Sequence, residues 1–284
     1  MTTEHWSPPA SGADWLSALS ELRAHGQGAV LATITEVRGH SPRDVGAKMV
    51  VTTETNHGSI GGGNMEATVI DRARAILGAD ASGDEANRVT TMTFALNEYA
   101  NNQHGNQCCG GEVSVILEHV AARPVIAIFG LGHVGQEIAR IMARHEVILH
   151  LTDSRNDVVD GLVADVLTSG PASVHLHTSP APESVVATLP KGAHVLVLTH
   201  DHTEDLILCD AALRHGQLGT IGLIGSRAKW LRFHKELVDL EHPEAAVQQI
   251  QCPIGVPGIG GKHPGVIAVS VAADLLQTMS QVRS

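Results

Sequence analysis

Apolar residues at Trp15, Leu16, Leu19 and Leu22 recur at helical spacing between Asp14 and His25. They predict an amphipathic first helix, capped by Asp14 or Ser11 and stopped at Gly26. Two β-like runs follow, Ala29–Val37 and Lys48–Thr53, and the glycine and proline of Arg38–Arg43 between them suit a turn, so a hairpin or pair of neighbouring strands is expected. A helix is predicted from the glycine turn at Gly61 to Leu77, then a polar loop over 78–87, then strands at Val89–Leu96 and Val113–Glu118. This half reads as a mixed α+β domain over residues 1–120.

From Val125 the pattern becomes regular. Short apolar runs at Val125–Phe129, Val147–Thr152, His194–Leu198 and Thr220–Ile224 alternate with helical stretches at Gly132–Arg144, Thr203–His215 and Ser226–Leu240. Such alternation predicts a Rossmann-like parallel sheet over residues 124–284. Pro264–Val282 adds a long final helix that is expected to return onto the first domain. The fold class is therefore α/β, an N-terminal α+β domain followed by a Rossmann-like domain.

Composition narrows the function. Nineteen Lys and Arg stand against 30 Asp and Glu in 284 residues, a net charge of −11, which leaves no basic stripe for nucleic-acid phosphates. No run approaches the ~18 apolar residues of a membrane helix, and the first dozen residues lack the pattern of a signal peptide. Only four cysteines occur, two of them adjacent, which suits reduced thiols in the cytoplasm better than a secreted disulfide framework. The 18 histidines offer many neutral-pH ligands or proton carriers.

Five segments carry candidate chemistry. Gly130-Leu131-Gly132-His133-Val134-Gly135 lies between a predicted strand and helix, and Asp153 follows at the end of the next strand. Glycine lets backbone approach a phosphate, the helix N-terminus receives its charge, and an Asp in that place accepts from ribose hydroxyls. The same turn also arises for packing alone. Gly61-Gly62-Gly63-Asn64-Met65-Glu66 is a second glycine turn before a helix, an anion cradle in principle.

Cys108 and Cys109, followed by Gly110 and Gly111, cannot bridge each other without distorting the peptide between them. Thiols flanked by glycine can present thiolate to a soft metal or a sulfur carrier, and the polar run Asn101–Asn106 before them favours exposure over burial as small hydrophobes. His200 and His202 follow an apolar strand at the edge where open α/β sheets bind ligands. They could coordinate a metal or orient an oxyanion, but without a third ligand at helical spacing the run reads as surface chemistry more readily than as a zinc site. Ser226 and Lys229 open another helix and suit a phosphate, or an N-cap beside a solvated base.

Taken in order, these motifs resemble those of the XdhC/CoxI family. The carriers are Gly39-His40-Ser41-Pro42-Arg43, Ser59–Glu66, Gln107–Gly111, Phe129–Val134, Thr199–His202, Gly222–Lys229 and Cys252-Pro253-Ile254-Gly255-Val256-Pro257-Gly258-Ile259-Gly260-Gly261-Lys262. The double cysteine and the Pro-Gly-Ile run point to the XdhC branch.

The resemblance implies a non-enzymatic, cytoplasmic chaperone in purine catabolism. Such a protein holds the molybdenum cofactor while a sulfido ligand is installed, then delivers it to the molybdenum-binding subunit of apo-xanthine dehydrogenase. Implied partners are a cysteine desulfurase or other sulfur donor, and a second copy in a homodimer. Cys108 and Cys109 would take the molybdenum or sulfur end. Gly61–Gly63 with Glu66, Gly110, Gly111, Gly130, Gly132, His133, Gly135, Asp153, His200, His202, Ser226 and Lys229 would line the phosphate and pterin end.

Two alternatives come from other classes. A nicotinamide-dependent oxidoreductase would use the Rossmann turn, but Tyr99, the only tyrosine, has Gln103 four residues on and so forms no Tyr-x-x-x-Lys pair. NAD is accordingly not expected. An assembly scaffold with an empty Rossmann domain is the other.

Overall fold

The computed structural model describes residues 13–81, 89–96, 111–155, 158 and 170–281. The chain divides into two compact units near Arg123, one holding most of Trp6–Ala122 and the other most of Arg123–Met279.

The first unit is a five-stranded antiparallel sheet. Its strands are β1 (Ala29–Arg38), β2 (Lys48–Val51), β3 (Asn56–Gly58), β4 (Val89–Leu96) and β5 (Gly111–Val120), in the order β3-β2-β1-β5-β4. β1 and β2 form the expected antiparallel pair, with Val30 opposite Val51. Alternation decides which side of β5 is covered: Val113, Val115 and Leu117 are buried with Val30, Ala32 and Ile34 of β1. Helix α2 (Gly63–Ala81) closes that face with Met65, Val69, Ala73 and Ile76.

Helix α1 (Trp15–Ala24) is capped by Asp14, whose Oδ1 accepts from the N–H groups of Leu16 at 3.0 Å and Ser17 at 3.1 Å. Its covered face is Trp15, Ala18, Leu19 and Leu22, packed near Ala29 and Val50, while Leu16 is 59% exposed. Leu16 therefore falls off the predicted face, because a residue one position from Trp15 is turned ~100° away from it.

The second unit holds six parallel strands: β6 (Val125–Phe129), β7 (Ile148–Asp153), β8 (Ser173–Thr178), β9 (His194–Val197), β10 (Thr220–Leu223) and β11 (Ile250–Gln251). Their order, β11-β10-β9-β6-β7-β8, runs outward in both directions from the β6/β9 pair, which is the doubly wound Rossmann arrangement. β6 has no polar face because both of its sides are covered. Ile126 and Ile128 join Leu149, Leu151 and helix α3 (His133–Met142) on one side. Val125, Ala127 and Phe129 enter a second core on the other.

That second core includes the short helix α4 (Glu183–Val186), α5 (His202–His215) and α6 (Arg227–Asp239), together with α7 (Glu244–Val247). Helix α8 (Pro264–Gln281) buries Ala268, Val271, Ala272, Leu275 and Met279 in the α3 side of this sheet. Its apolar stripe thus contributes to the second unit's own core.

Two glycines make the β6-to-α3 turn possible. Gly130 has φ +97°, and a Cβ there would lie 2.5 Å from the Leu198 carbonyl oxygen. A Cβ on Gly135 would run into the carbonyl oxygen of Gly130. Gly132 differs, with φ −70° and open space where a Cβ would stand. Gly135→Ala is expected to destabilise the second unit by roughly 2–4 kcal/mol, whereas Gly132→Ala shifts stability by less than about 0.5 kcal/mol. Chemical denaturation of the two variants checks the contrast.

Candidate functional site

In a doubly wound sheet the loops after the two central strands leave in opposite directions, and a crevice opens between them. Here it lies at the carboxyl ends of β6 and β9, with a cavity of about 120 Å3. Gly130 and Gly132 line it from the first loop, Asp153, Ser154 and Arg155 from the end of β7, and Leu198, Thr199, His200 and Glu204 from the β9 side.

Gly132 is the N-cap of α3 and has no side chain to bond the first-turn N–H groups. Those donors and the positive end of the helix dipole are left to solvent or to a ligand's anion. His133, the first residue of α3, is exposed beside them.

Asp153 is placed at the crevice but is committed within the protein. Its Oδ2 accepts from the Leu131 N–H at 2.8 Å and from Arg155 Nη2 at 2.9 Å, and its Oδ1 accepts from the Arg155 N–H at 3.0 Å and from Nε at 2.9 Å. Burial opposes its ionisation, but the Arg155 fork and the Leu131 N–H outweigh that and hold the carboxyl below the usual range. Four hydrogen bonds fill the lone pairs of a carboxylate. The ribose-accepting role assigned from sequence therefore gives way to bracing the glycine turn.

A second carboxylate ties the opposite wall together. Asp205, fully buried on α5, accepts from the Thr199 N–H at 3.1 Å and hydroxyl at 2.8 Å, and from Lys229 Nζ at 2.5 Å. Lys229 also donates to the Ile224 carbonyl at 2.9 Å, and its side chain is only 10% exposed. This ion pair joins the loop after β9 to the start of α6, so Lys229 is a brace, and the phosphate assigned to it is replaced by Asp205. Ser226 caps α6, accepting from the Lys229 N–H at 3.3 Å, which is the N-cap alternative.

His200 lines the crevice, but His202 does not share it. Arg232 Nη2 donates to His202 Nδ1 at 3.1 Å, and the His202 ring meets Phe233 edge-on. Among the described residues no three His, Cys, Asp or Glu side chains cluster so as to hold a metal.

Of the sequence candidates, then, Gly130, Gly132, Asp153 and His200 come together in this crevice, while Gly135, His202, Ser226 and Lys229 support its surroundings. Arg155 and Glu204 were missed. Arg155 had a legible signal, a cation two residues after the strand-end acid, whereas Glu204 looks in sequence like any first-turn helix acid.

The first unit's glycine turn is also satisfied from within. Gly61, Gly62 and Gly63 all have positive φ, and Glu66 Oε2 turns back to accept from the Ser59 hydroxyl at 2.6 Å and from the N–H groups of Ile60 at 3.0 Å and Gly62 at 3.1 Å. The carboxylate occupies the cradle that the sequence offers to an anion. Gly111 opens β5 beside β1, where a Cβ would meet the carbonyl oxygens of His40 and Arg38, so close backbone passage explains it. Cys108, Cys109 and Gly110 lie outside the described residues. Of the other two cysteines, Cys209 is buried and its thiol is pushed up to about 12 by burial, while burial also raises Cys252.

A Rossmann-type domain with an open switch-point crevice, joined to an antiparallel α/β unit, defines the class. Residues 126–275 match the XdhC Rossmann domain, and residues 22–90 match the XdhC and CoxI family. The chain belongs to the XdhC and CoxI family.

The uncharacterized protein YqeB of Escherichia coli (strain K12) is 24% identical over 262 residues, 87% of this chain and 43% of YqeB, so this chain spans less than half of that relative's length. Among solved structures, a xanthine dehydrogenase from Bacillus halodurans aligns at 18% identity over 94% of this chain and 96% of that one, with a TM-score of 0.46. The E. coli tRNA N6-threonylcarbamoyladenosine dehydratase TcdA aligns at 14% identity over 56% and 87%, with a TM-score of 0.43.

Two substitutions test the internal braces. Glu66→Ala removes three hydrogen bonds at the start of α2 and is expected to cost about 1–2 kcal/mol in urea denaturation. Lys229→Met leaves Asp205 buried without its cation and is expected to cost more, roughly 3–5 kcal/mol.

Proposed function

We propose that this chain is a molybdenum cofactor carrier in xanthine dehydrogenase maturation. Membership of the XdhC and CoxI family supports a role in that maturation. The observation that carries the finer reading is the crevice at the β6/β9 switch point, where uncapped α3 donors and the bare Gly132 leave room for a phosphate to approach backbone.

The cofactor is cargo, a phosphorylated pterin bearing molybdenum. In this proposal the α3 N-terminus and Gly132 receive its phosphate, and His133 and His200 flank it. Cys108 and Cys109 take the molybdenum or sulfur end, because thiolate suits a soft metal or a persulfide. The sulfur donor is a cysteine desulfurase or an equivalent, and the recipient is the molybdenum-binding subunit of apo-xanthine dehydrogenase. A homodimer and a cytoplasmic location accompany this reading. Among the described residues no helix is long and apolar enough to cross a membrane.

Protein purified from cells that make the cofactor is expected to release an oxidised pterin fluorophore on denaturation and to activate apo-xanthine dehydrogenase in a purified mixture. Cys108→Ala with Cys109→Ala is expected to abolish activation of the apo-enzyme. Absence of pterin together with tight, saturable NADH binding would replace the carrier with an oxidoreductase. Normal activation by the double variant would remove the cysteines from the proposal.

A further inference from the structure

Among the described residues, the acids around the crevice are committed with one exception. Asp153 is forked by Arg155 and bonded by Leu131, Asp205 is held by Lys229 and Thr199, and the Asp201 side chain caps α5 by accepting from the Thr203 N–H at 2.7 Å. Glu204 lines the crevice from the first turn of α5, half-buried, and accepts no hydrogen bond from any described residue.

A carboxylate with part of its water shell removed and no protein donor in its place can accept from a ligand without first breaking an internal bond. Burial accordingly pushes the Glu204 carboxyl above its usual range, with His200 opposing and Asp153, Asp205 and Asp201 adding to the rise. A phosphate placed beside it would meet like charge. Two adjacent N–H donors would instead pair with its two oxygens and restore the lost solvation.

We propose that Glu204 is the specificity-determining residue of the crevice, accepting hydrogen bonds from the 2-amino and N3–H groups on the pyrimidine edge of a pterin. The inference rests on the carrier reading above and divides the site between two helices. The phosphate lies at the N-terminus of α3, where donors are in excess, and the donor-bearing ring edge lies at α5, where an acceptor is in excess. Leu198 and His200 also line this crevice.

The test is a fluorescence titration of the full chain with 6-hydroxymethylpterin and with the matching lumazine, which carries an oxo group in place of the 2-amino group. Wild type should prefer the pterin, since a carbonyl oxygen facing the carboxylate is repelled. Glu204→Gln, which keeps the shape and removes no hydrogen bond within the described structure, should melt as wild type does. It should bind the pterin about 10- to 100-fold more weakly and lose most of the preference over lumazine.

Pterin affinity unchanged in Glu204→Gln, or a preference retained in full, would overturn the assignment while leaving the carrier reading standing. Weaker binding of adenosine monophosphate with pterin binding untouched would mean that Glu204 reads a ribose diol, and it would overturn the assignment equally. Failure of the wild type to bind the pterin would overturn both the assignment and the reading beneath it.

Discussion

The passage of Gly130 beneath the end of β9 is the constraint on which the second unit depends. The Gly130 N–H donates to the Thr152 carbonyl at 2.9 Å and the Leu198 N–H donates to the Phe129 carbonyl at 2.7 Å, so three strand ends are drawn together at one point. Any side chain at Gly130 would strike the Leu198 carbonyl, and any at Gly135 would strike Gly130 itself. Because the backbone is that close, α3 starts where its first N–H groups flank the crevice, and Leu131 can reach Asp153. Packing therefore accounts for two of the three glycines, and only Gly132 is left for a ligand.

A common principle governs the acids. Asp14, Glu66, Asp153, Asp201 and Asp205 each accept from backbone N–H groups near the end of a strand or the start of a helix. Such N–H groups have no intrahelical acceptor, and a nearby carboxylate satisfies them more cheaply than an ordered solvent shell would. The same geometry that makes a loop attractive to an external anion makes it attractive to one of the chain's own acids. In the Gly61 turn the internal acid has taken the place; at Gly132 none of the described acids has.

The strands of the second unit were legible because burial on both faces forces continuous apolar runs such as Val125–Phe129. β8 was overlooked although Val174 and Leu176 alternate with histidines, since two apolar residues are a thin signal beside a five-residue run. β3 and β11, three and two residues long, are fixed by their partner strands rather than by their own composition. The crevice was half legible: glycine spacing marks where backbone must turn, so Gly130 and Gly132 could be found. Arg155, two residues after Asp153, hints at that pairing, but that Lys229 closes on Asp205 while no described residue closes on Glu204 is a tertiary fact that no spacing along the chain shows.

The charge balance bears on how a phosphorylated cargo would be held. The chain carries a net charge of −11, the Arg155 fork is closed on Asp153, and Lys229 is closed on Asp205. Phosphate affinity at this crevice must then come chiefly from the α3 N–H groups and helix dipole, an attraction of about 0.3–1 kcal/mol for an exposed anion and up to ~2 kcal/mol where partly buried. That is a weak hold compared with a pair of unneutralised arginines. Retention and selectivity would have to come from elsewhere on the cargo, from the pterin edge and from the sulfur or metal end. A grip distributed in this way can be undone one contact at a time, as the proposed carrier role would require.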